Sequence, residues 1–121
     1  MKRCLIIDDS RVIRRVAAMI IQDLGFAVEE AENGKKALDA CCVRMPDVAL
    51  IDLDMPVMDG MTFLRALRQM PGGDKVVTII CTADSGPPQI QQALDGGADE
   101  YVMKPFDSEI MHSKFLLLEL L

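Results

Sequence analysis

The sequence predicts an α/β fold: a doubly wound, five-stranded parallel sheet with five helices. Three observations lead there. Short apolar runs alternate with segments of helical periodicity, in five successive strand–helix units. The strand candidates Arg3–Ile7 (RCLII), Val48–Asp52 (VALID) and Val76–Cys81 (VVTIIC) are continuous apolar runs, as expected where helices cover both faces of a sheet. Helical crossovers between them make the strands parallel and the winding right-handed.

The elements follow in order. After the first strand, Arg11–Leu24 carries Val12, Ile13, Val16, Ala17, Ile20 and Leu24 on one face of a helix, with Arg11, Arg14, Arg15 and Gln22 on the outer face. Ser10 can cap its start and Gly25 its end. Phe26–Glu30 is the second strand. Asn33-Gly34 opens a helix that runs to about Val43, and Pro46-Asp47 leads into the third strand. A loop, LDMPVMDG, precedes a third helix at Gly60–Met70, which Pro71-Gly72-Gly73 stops. After the fourth strand, Gly86-Pro87-Pro88 marks a turn and the first turn of a short helix with its body at Gln89–Leu94. Proline is tolerated there because its missing N–H would have no helical partner. Gly96-Gly97 ends that helix, Tyr101–Met103 is the fifth strand, and Asp107 caps a last helix that runs to the C-terminus. On that helix Ile110, Met111, Phe115, Leu117, Leu118 and Leu121 share a core-facing arc. Leu116 and Leu120 fall on the opposite side, either as a partner contact or as incidental exposed leucines.

The 121 residues make one domain, 1–121, with no linker or repeat. Half of them are apolar, enough for a core. The net charge is −6 with no basic stripe, which argues against nucleic-acid binding. No apolar stretch reaches the ~20 residues of a membrane span, and no signal peptide precedes the first strand, so the expectation is a soluble, cytoplasmic protein. The four cysteines, Cys4, Cys41, Cys42 and Cys81, fit no metal spacing and read as small buried hydrophobes in a reducing compartment. Met55 and Met58 read as loop packing, and the sole histidine, His112, as solvated.

In open parallel sheets, ligands bind outside the carboxyl ends of the strands. Asp8 and Asp9 follow the first strand. Asp52 ends the third, with Asp54 two residues on. Thr82 follows the fourth and Lys104 the fifth. Three carboxylates crowded together repel one another and stay ionised only if a cation holds them. Oxygen donors of this kind suit Mg²⁺, which keeps waters and shares its remaining positions with phosphate. The set is suited to a phosphoryl group: Asp52 to attack phosphorus, Lys104 and Thr82 to hold its oxygens. Each piece alone is weak, since an Asp-Asp pair after a strand often serves only a helix N-terminus. The conjunction at four of five strand ends is the signal.

These residues resemble the response-regulator receiver domains of two-component signalling, especially the single-domain, chemotaxis-type CheY proteins with their flavodoxin-like fold. The motifs are IIDDS at 6–10, LIDLDMPVMDG at 50–60, CTA at 81–83 and YVMKPF at 101–106, and the likeness covers the whole chain. The resemblance implies strand order 2-1-3-4-5. It implies that Asp52 is the phosphoacceptor, that Asp9 and Asp52 bind Mg²⁺ directly, Asp8 through a water and Asp54 through its backbone carbonyl. Thr82 is then the switch hydroxyl, Tyr101 the switch aromatic and Lys104 the phosphate-binding lysine, with a cis Lys104-Pro105 bond. Asp54 and Asp84 occupy two positions that vary across the family, beside the expected path of water to the phosphoryl group, and are expected to tune its lifetime.

The function so implied is a stand-alone switch, not an enzyme beyond its own phosphorylation and dephosphorylation. A histidine kinase or phosphotransfer protein supplies the phosphoryl group, and a downstream protein effector, in chemotaxis or a phosphorelay, reads the result. No nucleic acid or membrane insertion is expected, and a homodimer on phosphorylation stays open. The rival reading takes Asp52-Leu53-Asp54 as the nucleophile motif of a haloacid-dehalogenase-like phosphatase. It leaves Asp8-Asp9 and the MPVMDG run unexplained.

Overall fold

The structure, a computed structural model, describes residues 2–83 and 87–121. Five strands, β1 (Arg3–Ile7), β2 (Ala27–Ala31), β3 (Val48–Asp52), β4 (Val77–Thr82) and β5 (Glu100–Met103), alternate with five helices, α1 (Arg11–Asp23), α2 (Gly34–Val43), α3 (Gly60–Gln69), α4 (Pro87–Asp95) and α5 (Ser108–Leu117). All strand pairs are parallel, in the order β2-β1-β3-β4-β5. The expected fold and strand order are therefore the observed ones, with element ends displaced by a residue or two. A short 3-10 turn at Gly73–Lys75, not expected, joins α3 to β4.

Side chains alternate along a strand, so each apolar run divides between two cores. Leu5, Ile7, Ala49, Ile51 and Ile80 pack with Ala37 and Cys41 of α2, Phe63, Leu64 and Leu67 of α3, and Ala93 of α4. Cys4, Ile6, Val48, Leu50, Ile79 and Cys81 pack on the other face with Ala17, Ala18 and Ile21 of α1 and Met111 and Phe115 of α5. Phe26 meets Phe115 edge-on, with ring centroids 5.1 Å apart. The edge strand β2 departs from the continuous apolar pattern, with Glu29 and Glu30 at its outer end. Arg68 of α3 donates to the carbonyls of Gly73, Val76 and Gly97, tying the helix to the turns on either side of it.

Two helical faces differ from expectation. On α1 the buried residues are Ala17, Ala18 and Ile21, whereas Val12 is 70% exposed and Val16 and Met19 are exposed as well. The apolar arc is wider than the contact with the sheet, and the alanines let the helix axis approach along one side of it. That rotation turns Arg14 inward while Arg11, Arg15 and Gln22 stay in solvent.

The last helix does not reach the C-terminus. Leu118 is its C-cap and Glu119 takes a left-handed φ of 60°. The Leu120 N–H then donates to the Phe115 carbonyl at 2.9 Å and the Glu119 N–H to that of Leu116 at 3.0 Å. This paired closure folds the residue after the turn back onto the helix. Leu120 therefore packs against the core instead of lying on the polar side, while Ile110, Leu117 and Leu121, expected in the core, are exposed. Met111 and Phe115 are buried, and Leu116 is exposed, as the wheel indicates. Of the cysteines, Cys4, Cys41 and Cys81 are buried, but Cys42, one helical step from Cys41, faces solvent. Met55 and Met58 pack against the first core, and His112 is exposed. Among the described residues no helix is long and apolar enough to cross a membrane.

Candidate functional site

Strand register assembles the site. Ile7 pairs with Ile51, so Asp8 and Asp52, one residue further along each strand, emerge side by side. Asp52 pairs with Cys81, and Thr82 with Met103, which puts Thr82 and Lys104 at the same edge. Carboxylate oxygens of Asp8, Asp9 and Asp52 lie within 4.8 Å of one another. Asp8 and Asp52 are buried, 2% and 6% exposed, while Asp9 is open to solvent.

Lys104 closes this acidic cluster. Its Nζ lies 2.7 Å from Asp8 Oδ2 and 3.3 Å from Asp52 Oδ1. The Lys104 N–H donates to the Thr82 carbonyl at 2.8 Å, and the Lys104-Pro105 peptide is cis. The Asp54 N–H approaches Asp52 Oδ1 at 3.4 Å, and the Ser10 N–H donates to Asp8 Oδ1 at 2.9 Å. Ser10 also caps α1, as its position indicates.

The electrostatics are unbalanced. Burial, and then the neighbouring charge of Asp8, push the Asp52 carboxyl up to about 6, against the opposing pull of Lys104. Burial alone would lower the Lys104 ammonium, but its hydrogen bond to Asp8 and the charges of Asp52 and Asp8 leave it raised. One ammonium thus contacts two of the three carboxylates. A hard divalent cation fits this oxygen-only donor set.

The β3–α3 loop frames the opening. A Cβ on Gly60 would lie 2.3 Å from the Asp52 carbonyl oxygen, so only glycine lets α3 start this close to the end of β3. The Met58 N–H bonds the Pro56 carbonyl at 2.7 Å across Val57, whose φ is 69°. Such a three-residue turn with a positive central φ is strained, and Val57 is 78% exposed at its tip. Asp54 is exposed and lines a small cavity of about 140 Å³ with Leu53, Asp59, Met61, Gln89 and Gln92.

Thr82, the last residue of β4, is buried. Tyr101 is half-buried against the first core, and the Lys114 ammonium sits 4.7 Å from its ring centroid. Glu100 Oε1 accepts from the Tyr101 N–H at 2.9 Å and lies 3.3 Å from Lys114 Nζ. Asp84 lies outside the described residues. The sequence reading therefore places Asp8, Asp9, Asp52, Thr82 and Lys104 at one edge. It overlooked Lys114 and put Arg14 on the outer face of its helix, because the partners of both are set by helix rotation rather than by any local motif.

A doubly wound parallel sheet with three carboxylates and a lysine gathered at its carboxyl edge is the architecture of a signalling receiver domain. Residues 4–115 match the family described as the response regulator receiver domain, and the chain belongs to that family. It is 36% identical over 107 residues to the response regulator MprA of Mycolicibacterium vanbaalenii, an alignment covering 88% of this chain and 46% of that protein. The chain spans about half the length of the curated relatives it matches. Among solved structures it is similar to the chemotaxis protein CheY4 of Vibrio cholerae, with 31% identity, a TM-score of 0.91, and coverage of 100% of this chain and 99% of that one. It is also similar to the receiver domain of a signal transduction histidine kinase from Syntrophus aciditrophicus, at 28% identity and a TM-score of 0.87, over 98% of this chain and 89% of that one.

Proposed function

We propose that this chain is a stand-alone receiver, one domain over 1–121, that takes a phosphoryl group on Asp52 in a Mg²⁺-dependent reaction. The observation that carries the reading is the convergence of Asp8, Asp9, Asp52 and Lys104 at one sheet edge. Family membership favours a switch over the dehalogenase-like phosphatase.

In the proposed reaction an Asp52 carboxylate oxygen attacks the phosphorus of a phosphohistidine on a histidine kinase or phosphotransfer protein. The P–N bond breaks, the imidazole leaves, and an acyl phosphate forms on Asp52. Bound by Asp9 and Asp52, by Asp8 through a water and by the Asp54 carbonyl, Mg²⁺ would supply charge neutralisation for the carboxylates and the transferring group. Lys104, whose Nζ lies 3.3 Å from Asp52 Oδ1, would follow a phosphoryl oxygen. Thr82 would donate its hydroxyl to another, and the space so opened would admit the Tyr101 ring, a population shift driven by a charge-assisted hydrogen bond. Asp54 and Asp84 would border the approach of the hydrolytic water. The output would be a protein effector, in chemotaxis or a phosphorelay, and neither nucleic acid nor membrane is required.

Incubation with acetyl phosphate and Mg²⁺ tests this directly. Wild type should be labelled, Asp52→Asn should not, and labelling should stop with chelator. Strong labelling of Asp52→Asn would overturn the assignment. The chain has one tyrosine and no tryptophan, so intrinsic emission reports Tyr101. That signal should change on phosphorylation in wild type and stay constant in Thr82→Ala.

A further inference from the structure

We propose that Arg14 is a positioning residue for the acidic site: by holding the Asp8 carbonyl it orients the Asp8–Asp9 peptide, and so the direction in which Asp9 presents its carboxylate. The inference rests on the reading of Asp8, Asp9 and Asp52 as a Mg²⁺ site.

Arg14 sits on α1 with its side chain only 14% exposed. Its Nη1 donates to the Asp8 carbonyl oxygen at 2.7 Å, and its Nε to Glu30 Oε1 on β2 at 3.1 Å. A planar guanidinium gripped at two edges by two separate elements has little freedom to rotate. The remaining polar groups of Asp8 are also engaged. Its N–H donates to the Ala31 carbonyl at 3.1 Å, Oδ1 accepts from the Ser10 N–H at 2.9 Å, and Oδ2 meets Lys104 at 2.7 Å.

Asp9 is different. Its carboxylate is exposed and makes no hydrogen bond or ion pair with any described residue. Only the backbone aims it, and the peptide that precedes it is planar, with its carbonyl end in the grip of Arg14. Without that grip the peptide could turn, and Asp9 would have to be ordered again each time a cation binds. Preorganisation lost in this way appears as lost affinity.

The direction of the effect separates this role from simple electrostatics. A guanidinium near a cation site repels the cation, so as a bare charge its removal would tighten Mg²⁺ binding. As a positioning group, its removal loosens binding. Arg15 is the internal control. It carries the same charge and approaches the same Glu30, at 3.6 Å, but no contact joins it to Asp8.

The test is calorimetric titration of Mg²⁺ into wild type, Arg14→Met, Arg14→Gln and Arg15→Met. Methionine keeps the aliphatic stem and removes the donors, and glutamine serves should the methionine variant fail to fold. The Arg14 variants should bind roughly 10-fold more weakly, and Arg15→Met within about twofold of wild type. A metal-free readout accompanies it: the Ser10 amide, held by Asp8, should exchange faster in the Arg14 variants, while the amides of Ile79 and Ile80 in the central sheet stay protected as in wild type. Unchanged or tighter Mg²⁺ binding in the folded Arg14 variants would overturn the proposal. A wild type that binds no Mg²⁺ would instead overturn the metal-site reading beneath it.

Discussion

Lys104 and Asp8 form a 2.7 Å ion pair in which both side chains are largely withdrawn from water. The same ammonium also reaches Asp52, so one cation offsets two buried carboxylates. Breaking a buried pair from one side leaves an uncompensated charge. Lys104→Met should therefore destabilise the metal-free fold by about 3–5 kcal/mol, seen as a lower urea midpoint, and Mg²⁺ should restore part of the loss. A shift below about 1 kcal/mol would mean that water, not Lys104, screens Asp8.

Asp52 should impose a pH dependence of the opposite sign to an ordinary salt-bridged aspartate. Burial and the charge of Asp8 push its carboxyl up to about 6 in the folded chain, from an ordinary 3.8. Between those values the folded state holds more protons than the unfolded one, so stability falls as pH rises through that window. Asp52→Asn removes the ionisation. Without Mg²⁺ it should raise stability by about 1–3 kcal/mol above pH 7, and the gain should vanish below about pH 4. Thermal denaturation at pH 4 and pH 8 checks this. A variant less stable than wild type at pH 8 would contradict it.

Between β3 and the first residue of α3, two positions have opposite requirements. Gly60→Ala would drive a Cβ to 2.3 Å from the Asp52 carbonyl and should cost about 3 kcal/mol or more, with the Asp52 strand end displaced. Val57→Gly should go the other way. A branched residue at φ 69° is strained, and its relief, of order 1–3 kcal/mol, exceeds the roughly 0.5–1 kcal/mol that glycine adds to unfolded-chain entropy. Chemical denaturation of the two variants measures both signs. A destabilised Val57→Gly would show that the turn is held without strain.

The two leucines after Phe115 should behave unlike each other. Leu116 is exposed, so Leu116→Glu should change stability by no more than about 0.5 kcal/mol. Leu120 is folded back on the core, so Leu120→Glu should cost about 2 kcal/mol. Equal effects would place both on one surface. Light scattering of phosphorylated Leu116→Glu also tests the dimer reading, for which wild type should show the larger mass.

The architecture, and which polar residues gather at the sheet edge, are legible in the residue order. Five strand runs, three of them continuously apolar, separated by helices leave little choice but a parallel winding. That winding carries Asp8, Asp52, Thr82 and Lys104 to one edge, because each is the last residue of its strand or adjoins its carboxyl end. The tertiary structure alone decided which part of each amphipathic arc is buried. On α1 the small side chains of Ala17 and Ala18 set the line of contact, which exposes Val12 and turns Arg14 toward Asp8. At the end of α5 a non-glycine residue, Glu119, takes a positive φ, so nothing local marks the reversal that packs Leu120 against the core. Periodicity records where apolar side chains lie around a helix. Only packing distance and chain direction select which of them meets the core.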